Sequence, residues 1–306
     1  MEKKILPLIV IGGGPAGLSA SIYACRFGIQ TLLIAPLGGG LASSADYVEN
    51  YPGFPQGVSG MELVNLMKEQ ALKFGLEMAY AQAQKVEKEG NLFRTLAEET
   101  YLSRAVIVAT GAEPSKLGVP GEDKLRGRGI SYCATCDGPF FKDKTVIVVG
   151  GGDSALQEAL YLAQLARQVF LVHRRDQFRG AAYLVRRIEA QSNISLRLNT
   201  VINEIVGEER VQGAYLKNRI TGKEEFLPAE GIFIYVGLKP NSEIVKELVK
   251  LDESGAVITD EKMKTSHEGI FACGDVRASP LRQIITACAD GAIAALSAYH
   301  YLNQEK

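Results

Sequence analysis

The chain has 306 residues, a length that predicts one large domain or two domains of medium size. Hydrophobic residues make up 46% and charged residues 23%, the balance of an ordinary globular protein. The 34 Lys and Arg residues are offset by 35 Asp and Glu, which excludes a broad electrostatic attraction to nucleic acid or to an anionic membrane. No run of about 18 apolar residues occurs that could cross a bilayer. The five cysteines are mostly scattered and do not form a secreted disulfide framework, so we expect a cytoplasmic location.

Strands and helices alternate along most of the chain. Short runs rich in β-branched residues predict buried parallel strands at 8–11, 31–34, 105–108, 145–149 and 169–172. Helices are predicted between them at 61–74 and 154–166. Lys3 and Lys4 precede the first apolar run, but the glycine turn after it favours a strand over a signal peptide. This alternation predicts an α/β protein with parallel sheets.

One unit, made of a strand, a glycine-rich turn and a helix, occurs twice. It is found at 9–23 and again at 147–162, which predicts two nucleotide-binding domains. Prolines and glycines at 112–127 indicate a crossing between the domains, and a second crossing fits 237–241.

The first turn carries Gly12, Gly14 and Gly17 in the G-x-G-x-x-G spacing. The first glycine of such a turn allows a tight bend, the second lets the backbone approach a pyrophosphate, and the third lets helix and strand pack closely. The helix N-terminus then faces the phosphate charge. The acidic residue that often ends the second strand and binds a ribose is missing, because Ala35 and Pro36 stand there.

The second turn carries Gly150, Gly152 and Ala155, the G-x-G-x-x-A form of the same pattern. Its second strand ends in basic residues instead of an acid, namely His173, Arg174, Arg175 and, close behind, Arg179. Arginines suit the 2′-phosphate of NADPH through charge-assisted hydrogen bonds, whereas an acid would hold the ribose hydroxyl of NADH. The alternative is a solvated basic loop.

Cys133 and Cys136 are separated by two residues, a spacing that can close a small disulfide and lower the pKa of one thiol. Asp137 follows directly and could supply or accept a proton. The alternative is half of a zinc site, which normally needs a second close-spaced pair of ligands. The remaining histidines and cysteines are isolated, so we expect no metal. Small buried apolar roles are expected for the other cysteines, Cys25, Cys273 and Cys288.

Over essentially its whole length, the sequence resembles the low-molecular-weight, bacterial-type thioredoxin reductases, within the pyridine nucleotide-disulfide oxidoreductases. The segments that carry the resemblance are Gly12–Gly17, Val48–Gly53, Ala109–Ala112, Cys133–Gly138, His173–Asp176, Gly274–Val276 and Arg282–Gln283. The resemblance implies two Rossmann-like domains, with an NADPH domain at 118–241 inserted into an FAD domain at 1–117 and 242–306.

The resemblance also implies the cofactor contacts. FAD would be bound by Gly12, Gly14, Pro15, Ala16, Gly17, Asn50, Ala109, Thr110, Gly111, Gly274, Asp275, Arg282 and Gln283. NADPH would be bound by Gly150, Gly152, Asp153, Ser154, Ala155, His173, Arg174, Arg175 and Arg179. A helix beginning near Ile284 would point its positive end at the flavin ring. No flavin contact is carried over to residues 41–46, where the glycine pattern departs from that of many members.

The implied reaction passes two electrons from NADPH through the flavin to a Cys133–Cys136 disulfide, and then to a thioredoxin-like protein. Cys136 would face the flavin, Cys133 would attack the partner disulfide, and Asp137 would move the proton. Phe140 and Phe141 are candidates for contact with that partner or for the core. Family resemblance implies a homodimer, and domain rotation about the two crossings.

Three other functions remain open. A ferredoxin or flavodoxin reductase of the same architecture would have no use for the cysteine pair. A peroxide-system flavoprotein normally carries an extra N-terminal dithiol module, whereas this chain begins at the flavin strand. A redox sensor would bind NADPH without turnover.

Overall fold

The structure is a computed structural model that describes residues 5–45 and 48–304, apart from the side chain of Cys136. It divides into two compact units. The split unit consists of the chain up to Glu113 together with the chain from Lys239 onward, and the inserted unit comprises Pro114–Leu238. The predicted fold class, α/β with one domain inserted into another, is confirmed. The predicted boundaries, after residues 117 and 241, lie a few residues further along the chain than the divisions between the compact units, which follow Glu113 and Leu238.

The elements follow one another in two segments of the split unit, with the inserted unit between them. The first segment contains β1 (Ile5–Ile11), α1 (Pro15–Arg26), β2 (Thr31–Ile34), α2 (Gly60–Lys73), β3 (Glu77–Ala79), β4 (Lys85–Glu89), β5 (Leu92–Leu96), β6 (Thr100–Val108) and, leading out, β7 (Ala112–Pro114). The inserted unit contains α3 (Glu122–Leu125), β8 (Ile130–Ser131), α4 (Ala134–Asp137), β9 (Thr145–Gly150), α5 (Asp153–Ala163), β10 (Gln168–Val172), α6 (Ala182–Glu189), β11 (Ile194–Arg197), β12 (Thr200–Gly207), β13 (Val211–Asn218), β14 (Glu224–Pro228), β15 (Gly231–Tyr235) and, leading back, β16 (Leu238–Pro240). The second segment contains β17 (Ile270–Ala272) and α7 (Ile284–Gln304). Short 3-10 helices lie at Gly40–Ser44, Gly138–Phe141, Glu243–Val245 and Gly274–Val276.

The sheet of the split unit has the order β3-β2-β1-β6-β5-β4, with β17 also paired to β6. Its central strands are parallel, and β1 lies between β2 and β6. Leu8 and Val10 pack on one face with α1, α2 and α7, while Ile9 packs on the opposite face. Because both faces are covered, all three residues are fully buried, as expected for a continuous apolar strand.

The inserted unit has a parallel sheet of order β11-β10-β9-β15-β8 and a separate antiparallel sheet of order β12-β13-β14. Helices α5 and α6 cover one face of the parallel sheet with an apolar cluster. The antiparallel sheet covers the other face through residues such as Ile202, Ala214 and Leu216. The carboxyl ends of β9, β10 and β15 therefore lie together at one edge of the parallel sheet.

Most of the predicted elements are confirmed, with small differences at their ends. Helix α2 begins at Gly60, where the Ser59 hydroxyl accepts a hydrogen bond from the N–H of Glu62 at 3.1 Å. Helix α5 ends at Ala163, three residues before the predicted end at Ala166. Beyond Ala163, Gln164 N–H bonds to the carbonyl three residues back, which tightens and ends the last turn. Of the described helices, none combines the length and the apolar character needed to cross a membrane.

Candidate nucleotide and redox sites

The glycine turn after β1 is packed tightly against the end of β6. Gly12 has φ +118°, and a Cβ there would lie 2.1 Å from the Ala109 carbonyl oxygen. A Cβ at Gly17 would lie 1.8 Å from the Gly12 carbonyl oxygen, so the third glycine brings the helix onto the turn. Both positions therefore require glycine, for conformation at Gly12 and for space at each.

The start of α1 is open in the way that a phosphate site requires. Gly14 is the N-cap residue and offers no side-chain cap, and Pro15 and Ala16 begin the helix. A Cβ at Gly14 would meet its nearest neighbour, the Gly39 carbonyl oxygen, only at 3.6 Å. The N–H groups of the first turn are thus left for an anion, and the helix dipole favours one.

The missing acid after β2 has a structural counterpart. Ala35 is only 2% exposed, and its Cβ lies 2.9 Å from the position that a Cβ on Gly13 would take. A small side chain therefore packs against the turn where an acidic residue often binds a ribose hydroxyl.

Two pairs of polar groups tie distant segments of the split unit together. The Asn50 side-chain amide donates to Oε1 of Gln283 at 2.9 Å, which joins two of the predicted flavin residues. The Thr110 hydroxyl donates to the Asn241 carbonyl at 2.7 Å, and Asn241 N–H donates to the Gly111 carbonyl at 3.0 Å. The Thr110 hydroxyl is thus used to hold the loop after β6.

A charged cluster lies beside the start of α7. Gly274 N–H donates to Oδ2 of Asp290 at 3.2 Å, and Asp290 is 3.4 Å from Nη1 of Arg277. Burial raises the pKa of Asp275, an effect that the nearby charge of Arg282 partly offsets and that of Asp290 reinforces. Arg277 and Asp290 were not predicted from the sequence, although a carboxylate within the first two turns of α7 is a signal that could have pointed to Asp290.

The split unit fits a dinucleotide with a flavin at this place. Nε of Arg282 is buried and has no hydrogen-bond partner among the described residues, so this donor is available to an acceptor on a ligand. Together with the uncapped start of α1, this unpaired donor matches the phosphates and ring acceptors of FAD.

The turn after β9 repeats the design of the first. A Cβ at Gly150 would lie 2.4 Å from the Tyr235 carbonyl oxygen, so this glycine packs against the end of β15. A Cβ at Gly152 would meet no heavy atom within 4 Å, and α5 has no side-chain cap. Ala155 is buried at the third position of the pattern, and Ser154 is exposed in the first turn of α5. The open space at Gly152 is where a pyrophosphate would approach.

A cleft of about 350 Å³ adjoins this turn within the inserted unit. Its lining brings together the predicted residues Gly150, His173, Arg174 and Arg179. Arg175, one residue beyond Arg174, is exposed and is not among the described residues that line the cleft. The inserted unit therefore also fits its expected cofactor, an adenine dinucleotide with an extra phosphate near the arginines.

His173 packs beneath the turn. Its side chain is buried, its ring stacks on Phe178 with centroids 5.5 Å apart, and a Cβ on Gly151 would lie 2.3 Å from the ring. Burial, reinforced by neighbouring arginines, lowers the pKa of His173, although its bond to a backbone carbonyl opposes this. Nε2 lies 3.1 Å from the Gln177 carbonyl, so the neutral ring donates a hydrogen bond there. This bond supports residues 174–179, the arginine loop.

Asp153 also holds this loop. Its Oδ1 accepts from the N–H of Ala181 at 2.6 Å, and the N–H of Arg179 donates to the Gly151 carbonyl at 2.7 Å. A carboxylate at the start of α5 would repel a phosphate if it pointed freely into the site. Here it is engaged with the loop that carries Arg179.

Cys133 is disulfide-bonded and directly precedes α4, the helix that contains Cys136. The side chain of Cys136 lies outside the described part of the structure, so the predicted pairing is not tested. A sulfur held in a disulfide is not a zinc thiolate, which argues against the metal alternative for Cys133. The N–H of Asp137 donates to the Cys133 carbonyl at 3.2 Å and closes this short turn.

Tyr235 connects residues 133–137, the redox turn, with the nucleotide cleft. Its hydroxyl oxygen accepts from the N–H of Ala134 at 2.6 Å, and the same residue lines the cleft. Burial raises the pKa of Tyr235, so the phenol stays protonated. Sequence analysis missed this residue, because nothing in the local pattern relates the end of β15 to Ala134.

The remaining candidates separate clearly. Phe141 is buried and packs edge-on against Phe233, with ring centroids 5.3 Å apart, whereas Phe140 is 72% exposed. Cys25, Cys273 and Cys288 are free. Cys273 is fully buried, as expected, while the other two are half-buried.

Two nucleotide-binding folds, one inserted into the other, and a disulfide beside the second define a class of flavin-dependent disulfide oxidoreductases. The family model for pyridine nucleotide-disulphide oxidoreductases matches residues 6–291, and the chain belongs to this family.

Individual relatives narrow the comparison. The chain is 45% identical to the thioredoxin reductase of Listeria monocytogenes, covering 100% of this chain and 96% of the relative. It is 45% identical to that of Bacillus subtilis, with 99% and 96% covered. Among solved structures, the thioredoxin reductase of Lactococcus lactis superposes with a TM-score of 0.94 at 40% identity, covering 98% of this chain and 99% of that one.

Proposed function

We propose that this protein is a thioredoxin-disulfide reductase, in which electrons from NADPH pass through FAD and the Cys133–Cys136 pair to the disulfide of a thioredoxin-like protein. The split unit binds FAD and the inserted unit binds NADPH. When bound, FAD supplies the two-electron chemistry that links a hydride donor to a dithiol. The relatives named above support this function, as does the near-complete coverage of both chains.

One observation carries the proposal. Cys133 is disulfide-bonded, and the next residue, Ala134, is hydrogen-bonded to the tyrosine that lines the nucleotide cleft. A disulfide that only staples a surface loop would need no such link. The redox turn and the nucleotide site thus share one rigid support inside the inserted unit.

The chain's residues divide the remaining work. The turns that begin at Gly12 and Gly150 bind the two pyrophosphates through backbone N–H groups. Arg174, Arg175 and Arg179 bind the 2′-phosphate of NADPH, which an NADH molecule lacks. The other cofactor contacts are those of the sequence-based assignment.

Once the Cys133–Cys136 disulfide has been reduced to a dithiol, the Cys133 thiolate attacks one sulfur of the partner's disulfide and expels the other sulfur as a thiolate, which Asp137 protonates. Cys136 then attacks Cys133, which closes the pair again and releases the partner as a dithiol. The exposed Phe140 ring, three residues after Asp137, gives that partner an apolar contact. The active form is a cytoplasmic homodimer.

A Cys136→Ser variant tests the relay. The purified variant should remain yellow and be bleached by NADPH, but it should not reduce thioredoxin, because the dithiol cannot form. Cys25→Ser, which removes a free thiol on α1, serves as the matched control and should keep full turnover. Retained thioredoxin reduction in Cys136→Ser would rule out the proposed relay. A colourless wild-type protein would instead favour a sensor that does not turn over.

A further inference from the structure

The loop that carries Arg174 and Arg175 is supported from the antiparallel sheet of the inserted unit. Nη1 of Arg219 donates a hydrogen bond to the Arg174 carbonyl oxygen at 3.2 Å. The N–H of Asn199 donates to the carbonyl of the next residue, Arg175, at 3.0 Å. Arg219 and Asn199 are themselves joined, because the N–H of Arg219 donates to the Asn199 carbonyl at 2.7 Å. Both consecutive carbonyls of the arginine pair are therefore held by one connected group.

Arg219 is presented by an ordered turn between β13 and β14. Oδ1 of Asn218 accepts from the N–H groups of Ile220 and Thr221 at 3.0 and 2.9 Å. Gly222, with φ +71°, donates its N–H to the Asn218 carbonyl at 2.9 Å and closes the turn. An Asx turn of this kind fixes the backbone locally, so Arg219 starts from a defined position.

Asn199 is also specialised for this place. It has φ +53°, a conformation that asparagine tolerates better than most residues. It directly precedes Thr200, whose N–H donates to the His173 carbonyl at 2.9 Å. The carbonyls of residues 173, 174 and 175 are thus bonded in succession to Thr200, Arg219 and Asn199, which lie at one end of the antiparallel sheet.

We propose that Arg219 is a positioning residue that strengthens the preference for NADPH over NADH. It holds the backbone of Arg174 and Arg175 in the conformation that binds the 2′-phosphate, and its guanidinium adds positive charge to the same loop. This inference rests on the proposed function, since it assumes that the arginine pair binds that phosphate. It assigns part of the cofactor specificity to a hairpin that lies outside the strand–turn–helix unit.

The effect has a clear signature in binding. Removing a residue that only stabilises the fold would lower the affinity for all nucleotides alike. Removing a residue that orients the phosphate-binding pair would lower the affinity only for ligands with a 2′-phosphate. Because Arg219 is exposed, the loss of its interaction should cost about fivefold in affinity for such ligands, the upper range for an exposed charged pair.

Calorimetric titration of the full-length flavoprotein with 2′,5′-ADP and with 5′-AMP measures this signature without turnover. Arg219→Ala should bind 2′,5′-ADP about fivefold more weakly and 5′-AMP within about twofold of wild type. Arg219→Lys, which keeps a charged donor, should recover most of the loss. Arg210→Ala is the matched control, because Arg210 is exposed at the other turn of the same sheet, and it should bind both ligands as wild type.

A double variant, Arg174→Ala with Arg175→Ala, separates the two levels of the reasoning. If it loses affinity for 2′,5′-ADP while Arg219→Ala does not, the role of Arg219 is overturned and the proposed function stands. Equal losses for the two ligands in Arg219→Ala would also overturn the inference. If the double variant binds 2′,5′-ADP as wild type, the phosphate assignment fails, and the role of Arg219 fails with it.

Discussion

Replacing Tyr235 with Phe should loosen the redox turn while keeping the aromatic ring in the lining of the nucleotide cleft. The change removes a single oxygen, the one that accepts the N–H of Ala134 at 2.6 Å. Ala134 is fully buried, so in the intact fold its N–H has no direct contact with solvent. A buried donor left unsatisfied costs about 1–3 kcal/mol. If that cost falls on the closed form of the turn, its opening equilibrium rises by roughly 5- to 150-fold.

Hydrogen exchange of the oxidised protein, followed by mass spectrometry on peptides that contain Ala134, measures this opening directly. Exchange in that region should accelerate by a factor within the range above. Because burial keeps the phenol protonated, the acceleration should be the same from mildly acidic to mildly basic pH. Tyr215→Phe is the matched control, since Tyr215 is 47% exposed on β13. Unchanged exchange in Tyr235→Phe, or an equal change in both variants, would refute the reasoning.

Two further variants test the split unit. Gly12→Ala should lose bound flavin and cost at least about 1–3 kcal/mol in unfolding free energy, because it meets both a positive φ and the Ala109 carbonyl. Gly28→Ala has a positive φ but open space, so it should cost only about 1 kcal/mol and stay yellow; equal losses in urea unfolding would contradict the packing account. Asp275→Asn should stabilise the flavin-free protein at neutral pH, because burial raises the pKa of Asp275 and stability therefore falls as pH rises through that pKa. The gain should vanish in acid, whereas Asp252→Asn should destabilise at neutral pH, since hydrogen bonds from Ser254 lower the pKa of Asp252; the same sign in both variants would refute the argument.

The glycine turns could be predicted from the sequence because their requirements are local. A tight bend at Gly12, space for a pyrophosphate at Gly152 and a close helix contact at Gly17 depend on residues within one strand–turn–helix unit. The parallel strands could be predicted for a similar reason, since burial on both faces produces continuous apolar runs that are visible in the chain.

Contacts of side chains with residues far away in the sequence could not be predicted from local sequence patterns. Asp153 is an expected cofactor contact by family resemblance, and only the structure shows that its carboxylate also accepts a hydrogen bond from the N–H of Ala181, 28 residues away. Phe140 and Phe141 are identical by type, and only the packing of Phe141 on Phe233 separates a core ring from an exposed one.

The sequence by itself determined the two nucleotide turns, the basic end of β10 and the cysteine spacing, because short-range backbone geometry and residue chemistry encode them. Only the tertiary structure decided which groups support these sites. The Asn50–Gln283 contact spans 233 residues, the Arg219–Arg174 contact spans 45 and the Tyr235–Ala134 contact spans 101. Each depends on how separate elements pack, and a local sequence pattern does not encode that packing.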